Sequence, residues 1–159
     1  MEYPQVRIFP HSVEKEFPSE ESLKEWLLGD LRQGGGVYRL RTTNRVKDLP
    51  PGSIVLFRYG KGIVGEAVVR KGKELLNPRV NETTKTGEEG EYPAQVTFAP
   101  SSIRLYAPPV PVESIQRHID KDITKFPGAY VELDWRIYAC ILKEVVSGGG
   151  AFISCLNPA

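Results

Sequence analysis

The chain has 159 residues, of which 40 % are hydrophobic and 26 % charged, with a formal net charge of +1; such values fit one globular domain that buries a core without metal or disulfide and exclude wholesale disorder. No apolar run is long enough for a spanning helix, and Met1-Glu2-Tyr3-Pro4 has no signal-peptide character, so a cytoplasmic location is expected. Cys140, Cys155, His11 and His118 show no paired ligand spacing, and no metal or cofactor is expected.

In chain order, Gln5 to Phe9 predicts a short strand closed by Pro10. Ser19 is a good N-cap, Glu20 and Glu21 suit the positive end of the helix dipole, and Gly34-Gly35-Gly36 ends the helix. Leu23, Trp26, Leu27 and Leu31 recur at spacings of three and four, so one stripe of that helix is buried and Trp26 is expected in the core rather than in a pocket. Val37 to Arg41 alternates, placing Arg39 and Arg41 on one face and Tyr38 and Leu40 on the other. Thr42-Thr43-Asn44 has turn chemistry.

Two apolar runs, Ser53 to Tyr59 and Gly62 to Arg70, flank Gly60-Lys61 and predict an antiparallel hairpin. Gly72 to Glu91 is polar and aperiodic, which predicts a long loop of the kind that closes over ligands or is simply an excursion. Tyr92 to Phe98 and Ile103 to Tyr106 are strand-like, and Pro108, Pro109 and Pro111 keep the chain extended before a short helix over Val112 to Ile119. Ala129 to Leu133 predicts a last strand, and Asp134 caps a terminal helix with Ile137, Ile141, Leu142 and Val145 inward. The expected domain covers residues 1–147, with 148–159 a linker-like tail.

Charge is unevenly distributed. Gly36 to Lys73 holds nine basic residues against Asp48 and Glu66, a local balance of +7 that suits a polyanion. No phosphate loop or catalytic triad is visible, and the two histidines lack the neighbours that a general base needs, so the protein is expected to be no enzyme.

The run from Val37 to Val69 resembles the PUA-like superfamily, and within it the EVE domains. The similarity is carried by Arg41-Thr42-Thr43-Asn44 after a strand, by the Pro51-Gly52 turn, by Ile54-Val55-Leu56-Phe57 and by Ile63-Val64-Gly65-Glu66-Ala67. Gln95 to Phe98, Tyr106 to Val112, Tyr130 to Leu133 and a final helix follow in the same order. The chain departs from the family at Gly34-Gly35-Gly36, where a tryptophan is usual, and at Arg58-Tyr59-Gly60, where Tyr-His-Ser is usual. The resemblance implies an α+β fold with a mostly antiparallel, barrel-like sheet and two or three helices. It further implies a module that reads a modified, methylated base in DNA, such as the specificity domain of a modification-dependent restriction system with a fused or associated nuclease or NTPase.

Such reading requires a base taken out of the stack, aromatic faces to hold it, and cations on the phosphates. The candidates are Tyr38, Tyr59 and Trp135 as faces, Thr43 and Asn44 as edge readers, and Arg39, Arg41, Arg45, Arg58 and Lys61 as phosphate contacts. Asp134 is a further edge candidate that capping explains equally well. The alternatives are an RNA-binding or RNA-modification-associated PUA-like protein, an enzyme whose pocket only folding assembles, and a protein-interaction domain with a solvated basic face.

Overall fold

The computed structural model describes residues 3–11, 16–41, 49–83, 87, 89–119 and 131–155. Ser19 and Ser22 form a reciprocal cap: the Ser19 hydroxyl accepts from the Ser22 amide at 3.1 Å, and the Ser22 hydroxyl accepts from the Ser19 amide at 3.2 Å. Helix α1 (Glu20–Trp26) then runs directly into a π-helical segment, Leu27–Leu31. The chain leaves it through Gly36, which has φ of 79°. The Gly36 amide donates to the Leu31 carbonyl and its carbonyl accepts from the Phe98 amide, both at 2.8 Å. A Cβ at Gly36 would collide with the Phe98 carbonyl, so conformation and space both require glycine.

Eight strands follow the order of the chain: β1 (Val6–His11), β2 (Val37–Leu40), β3 (Ile54–Tyr59), β4 (Gly62–Thr83), β5 (Glu89–Phe98), β6 (Arg104–Pro111), β7 (Val131–Leu133) and β8 (Ala151–Ile153). Helix α2 (Val112–Gln116) follows β6, and α3 (Trp135–Ser147) lies between β7 and β8. Hydrogen-bonded neighbours run β2-β5-β4-β3-β1-β7, with β6 on β4 and β8 on β6. The ladders are antiparallel apart from β1 on β3, which is parallel. The α+β class is as expected, but among the described residues the sheet is mixed and open where a barrel-like one was anticipated. It is nevertheless curled: β2 and β1 are four steps apart in that order, yet the Tyr38 hydroxyl lies 2.8 Å from the His11 ring and the Phe9 and Tyr38 ring centroids are 5.3 Å apart. Side chains bridge a gap that no ladder among the described residues closes.

Strand β3 is buried along its whole length because both faces of the sheet are covered. Val55 and Phe57 join Leu23, Leu27, Leu31 and Phe98 beneath α1, while Ile54 and Leu56 join Ile137, Ile141 and Val145 beneath α3. On the second face Glu66 is 3 % exposed. Its carboxylate accepts from the Tyr106 hydroxyl at 2.8 Å, the Tyr138 hydroxyl at 2.6 Å and the Arg104 guanidinium at 3.2 Å, which satisfies the buried charge and ties α3 to β4 and β6. Burial first, then the Glu66 charge and its hydrogen bonds, push both tyrosine hydroxyls above their ordinary values. Gly65 precedes it because a Cβ there would meet the Arg104 carbonyl across the β4–β6 ladder.

Three expectations about the chain's path change. The described part of residues 72–91 is not a loop: it forms the outer arm of β4 and β5, paired Val80 with Tyr92, Asn81 with Glu91 and Thr83 with Glu89. Both faces of much of that arm are solvated, with Leu75 70 % exposed, so the pairing needs no apolar alternation to mark it. Pro10 lies inside β1 rather than ending it, paired with Arg58 of β3; among the described residues the β7 ladder reaches Ile8, and a missing N–H past that point removes none of its bonds. In the stretch 148–159, expected as a linker, Ala151–Ile153 pairs with β6. Arg32 secures it, donating to the Ser154 carbonyl and, at 2.6 Å, to that of Ile103. No helix among the described residues is long and apolar enough to cross a membrane.

Gly29 within the π-helical segment and Gly36 beyond it should respond oppositely to alanine. Gly29 faces open space with ordinary backbone geometry, so Gly29→Ala should leave the urea midpoint unchanged or raise it. Gly36→Ala should lower stability by about 2 kcal/mol or more. Equal effects at the two positions would contradict the Phe98 contact as the reason for Gly36.

Candidate functional site

A cavity of about 420 Å³ lies where α1, the turn before it, β2 and the outer arm of β4 and β5 meet. The buried side chains that line it are His11, Phe17, Leu31 and Tyr38. Trp26 and Asp30 come from α1 and the π-helical segment, Arg39 from β2, Arg41 from the residue after it, and Tyr92 from β5. The rings form one contact series: Phe17 to Trp26 at 5.5 Å, Trp26 to Tyr38 at 5.9 Å with planes at 70°, and His11 to Tyr38 at 5.9 Å with planes at 85°. The Arg41 guanidinium sits 5.7 Å from the centre of the Tyr92 ring, a cation–π contact that holds the arginine at the rim.

The histidine at the inner end has a defined tautomer. Nδ1 is 3.2 Å from the Arg58 carbonyl, an acceptor only, so Nδ1 carries the proton. Nε2 therefore accepts from the Tyr38 hydroxyl at 2.8 Å. Burial lowers the His11 pKa from 6.5 to about 4, against the raising effect of backbone bonds at Arg58 and Phe9, and the Arg58 charge lowers it further. His11 is thus a neutral strut between β1, β2 and β3.

Of the residues singled out in the sequence, Tyr38, Arg39 and Arg41 come together at this cavity. Arg58 and Tyr59 do not line it: they are 8 % and 9 % exposed. Burial depresses the Arg58 pKa. The Tyr59 hydroxyl donates to the Phe17 carbonyl at 2.9 Å, with its pKa raised by burial and then by Glu20. The hairpin tip therefore offers no open aromatic face. Lys61 is exposed at the turn, where its carbonyl accepts from the Val112 amide at 2.8 Å. Trp135 is 44 % exposed and donates through Nε1 to the Pro4 carbonyl at 3.1 Å, which pins the chain before β1. Asp134 caps α3 by accepting from the Arg136 amide at 2.8 Å. Thr43, Asn44 and Arg45 lie outside the described residues.

The site also uses residues given structural or no roles in the sequence: Trp26, Phe17, His11, Tyr92 and Asp30. Trp26 is only half-buried and packs at the margin of the core. The available signal was its place beside Leu23 and Leu27 rather than between them. Tyr92 reaches the cavity because the arm is paired strand and not loop. No protein-family model matches the chain, and no curated protein matches its sequence.

Acid should expose the cost of the neutral histidine. Below pH 6.5 the unfolded chain protonates His11 while the folded chain resists down to about 4, so stability falls across that window and levels off beneath it. The full difference amounts to about 3 kcal/mol. Urea unfolding of the protein and of His11→Gln at a series of pH values should show a steeper decline between pH 6.5 and 4 for the former. Parallel curves would contradict a neutral, buried His11.

Proposed function

We propose that the domain is a PUA-like module of the EVE type that binds nucleic acid and reads a modified, methylated base in DNA without catalysing a reaction on it. The observation that carries this reading is a single cavity combining four aromatic side chains, Phe17, Trp26, Tyr38 and Tyr92, with two arginines, Arg39 and Arg41. Its volume of about 420 Å³ is within the ordinary range of small-ligand sites and exceeds what one nucleobase needs. A base flipped out of the stack would enter against the half-buried Trp26 and Tyr92 rings, and stacking of this kind contributes about 1 to 3 kcal/mol per base. Arg39 and Arg41, adjacent along one strand face, suit the phosphates flanking it.

The buried inner end supports a recognising rather than a reacting site. His11 has both ring nitrogens engaged and stays neutral, so the Tyr38–His11 pair holds shape. A reader of this kind confers specificity on a nuclease or NTPase that is fused to it or associates with it.

Titration of modified and unmodified oligonucleotides, as single strands, duplex DNA and RNA, tests the reading. Modified DNA should bind tightest, and all affinities should fall steeply with salt. Trp26→Ala should weaken binding of the modified site about tenfold or more, whereas Arg39→Glu with Arg41→Glu should weaken every oligonucleotide alike and flatten the salt dependence. Absent binding, or equal affinity for modified and unmodified DNA, would overturn it; tighter binding to RNA would move the substrate from DNA to RNA.

A further inference from the structure

The aromatic wall on the arm side of the cavity is the Tyr92 ring, and it is held from two sides. Tyr92 is half-buried and comes from β5. The Arg41 guanidinium stands 5.7 Å from the ring centre. The far end of the ring lies over Gly90, two residues back on the same strand and therefore on the same face of it. A Cβ at Gly90 would come within 2.9 Å of the Tyr92 hydroxyl oxygen and within 3.0 and 3.1 Å of Cζ and Cε2. These are its three nearest atoms, and all belong to Tyr92.

Glycine at this position answers a need for space and not for an unusual backbone. Gly90 has no positive φ and pairs with Glu82 in the ladder, so alanine fits the strand. At Gly36 the obstacle to a Cβ is the Phe98 carbonyl, which cannot move without the ladder. At Gly90 the obstacle is the free end of a side chain, which swings. Resting on the base-reading function, we propose that Gly90 is a positioning residue of the site: by leaving room for the Tyr92 ring to lie along β5, it sets where the arm-side stacking face stands. Among the described residues that line the cavity Tyr92 is present and Gly90 is not, so Gly90 acts on a ligand through the ring. A side chain at 90 turns the ring off this seat, and a base entering against Trp26 loses its second face. Gly90 is thus required by binding and not by folding.

The test compares the parent with Gly90→Ala, Tyr92→Ala and the double variant, titrated with a duplex carrying one 5-methylcytosine opposite an abasic site. Gly90→Ala and Tyr92→Ala should each weaken binding about fivefold or more. The double variant should bind no worse than Tyr92→Ala alone, because without the ring the added Cβ obstructs nothing. The urea midpoint of Gly90→Ala should equal or exceed the parent's, which separates the effect from loss of the arm. A lowered midpoint, an undiminished affinity in Gly90→Ala, or a further loss on adding Gly90→Ala to Tyr92→Ala would overturn the positioning role. In each of these cases a parent that prefers the methylated duplex to the unmodified one leaves the base-reading function standing. Failure of the parent to bind either duplex would overturn both.

Discussion

The hydrogen-bonded series Tyr38–His11–Arg58 is the constraint on which the rest of this structure depends. Its members sit on β2, β1 and β3, and among the described residues β2 is the far end of a sheet that reaches β1 through β5, β4 and β3. Linking Tyr38 to His11 at 2.8 Å demands that the sheet curl, since an untwisted sheet of five strands would hold its outer pair roughly 19 Å apart. The gap so created is covered by α1, and the space left between helix, β2 and the β4–β5 arm is the cavity. Fold and site thus share one cause, and burial at the link keeps His11 neutral.

The opposite face has its own polar anchor. Glu66, held by Tyr106, Tyr138 and Arg104, fixes α3 against β4 and β6, while Arg104 also covers the Phe152 ring at 4.0 Å on β8. Carboxylates mark both faces of the sheet, but with different accessibility. Glu66 is enclosed and satisfied within the protein, so it specifies packing. Asp30 and Glu16 border the cavity.

Much of the local structure was legible because single residues carry it. Ser19 with its first-turn acids, the Gly60-Lys61 joint and Asp134 before Trp135 each act through backbone groups a few positions away, and each produces the element expected. The arm at 72–91 was not legible because its strands pair by backbone and expose much of both faces, so composition resembles a loop. The cavity was hidden for a related reason. Trp26, Tyr38, His11 and Tyr92 are far apart in sequence, and only the curl brings them together. Tyr59, conspicuous at a basic hairpin tip, is turned inward to the Phe17 carbonyl; alternation along β3 fails to forecast this because that strand is buried on both faces. The described basic residues between Gly36 and Lys73 likewise do not form one surface: Arg39 and Arg41 line the cavity, Arg58 is buried, and Lys71 pairs with Glu74 at 3.0 Å.

The two tryptophans provide the most direct test of where a ligand binds. Trp26 borders the cavity, whereas Trp135 is tied to Pro4 at the start of α3 and does not line it. Each can be observed alone by fluorescence in the variants Trp135→Phe and Trp26→Phe, titrated with a duplex carrying one flipped methylated base opposite an abasic site. A cavity that stacks on the base requires strong quenching of the Trp26 emission as the complex forms, with the Trp135 emission unaltered. Quenching of Trp135 with Trp26 unaffected would place binding elsewhere and contradict the assignment of this cavity as the site.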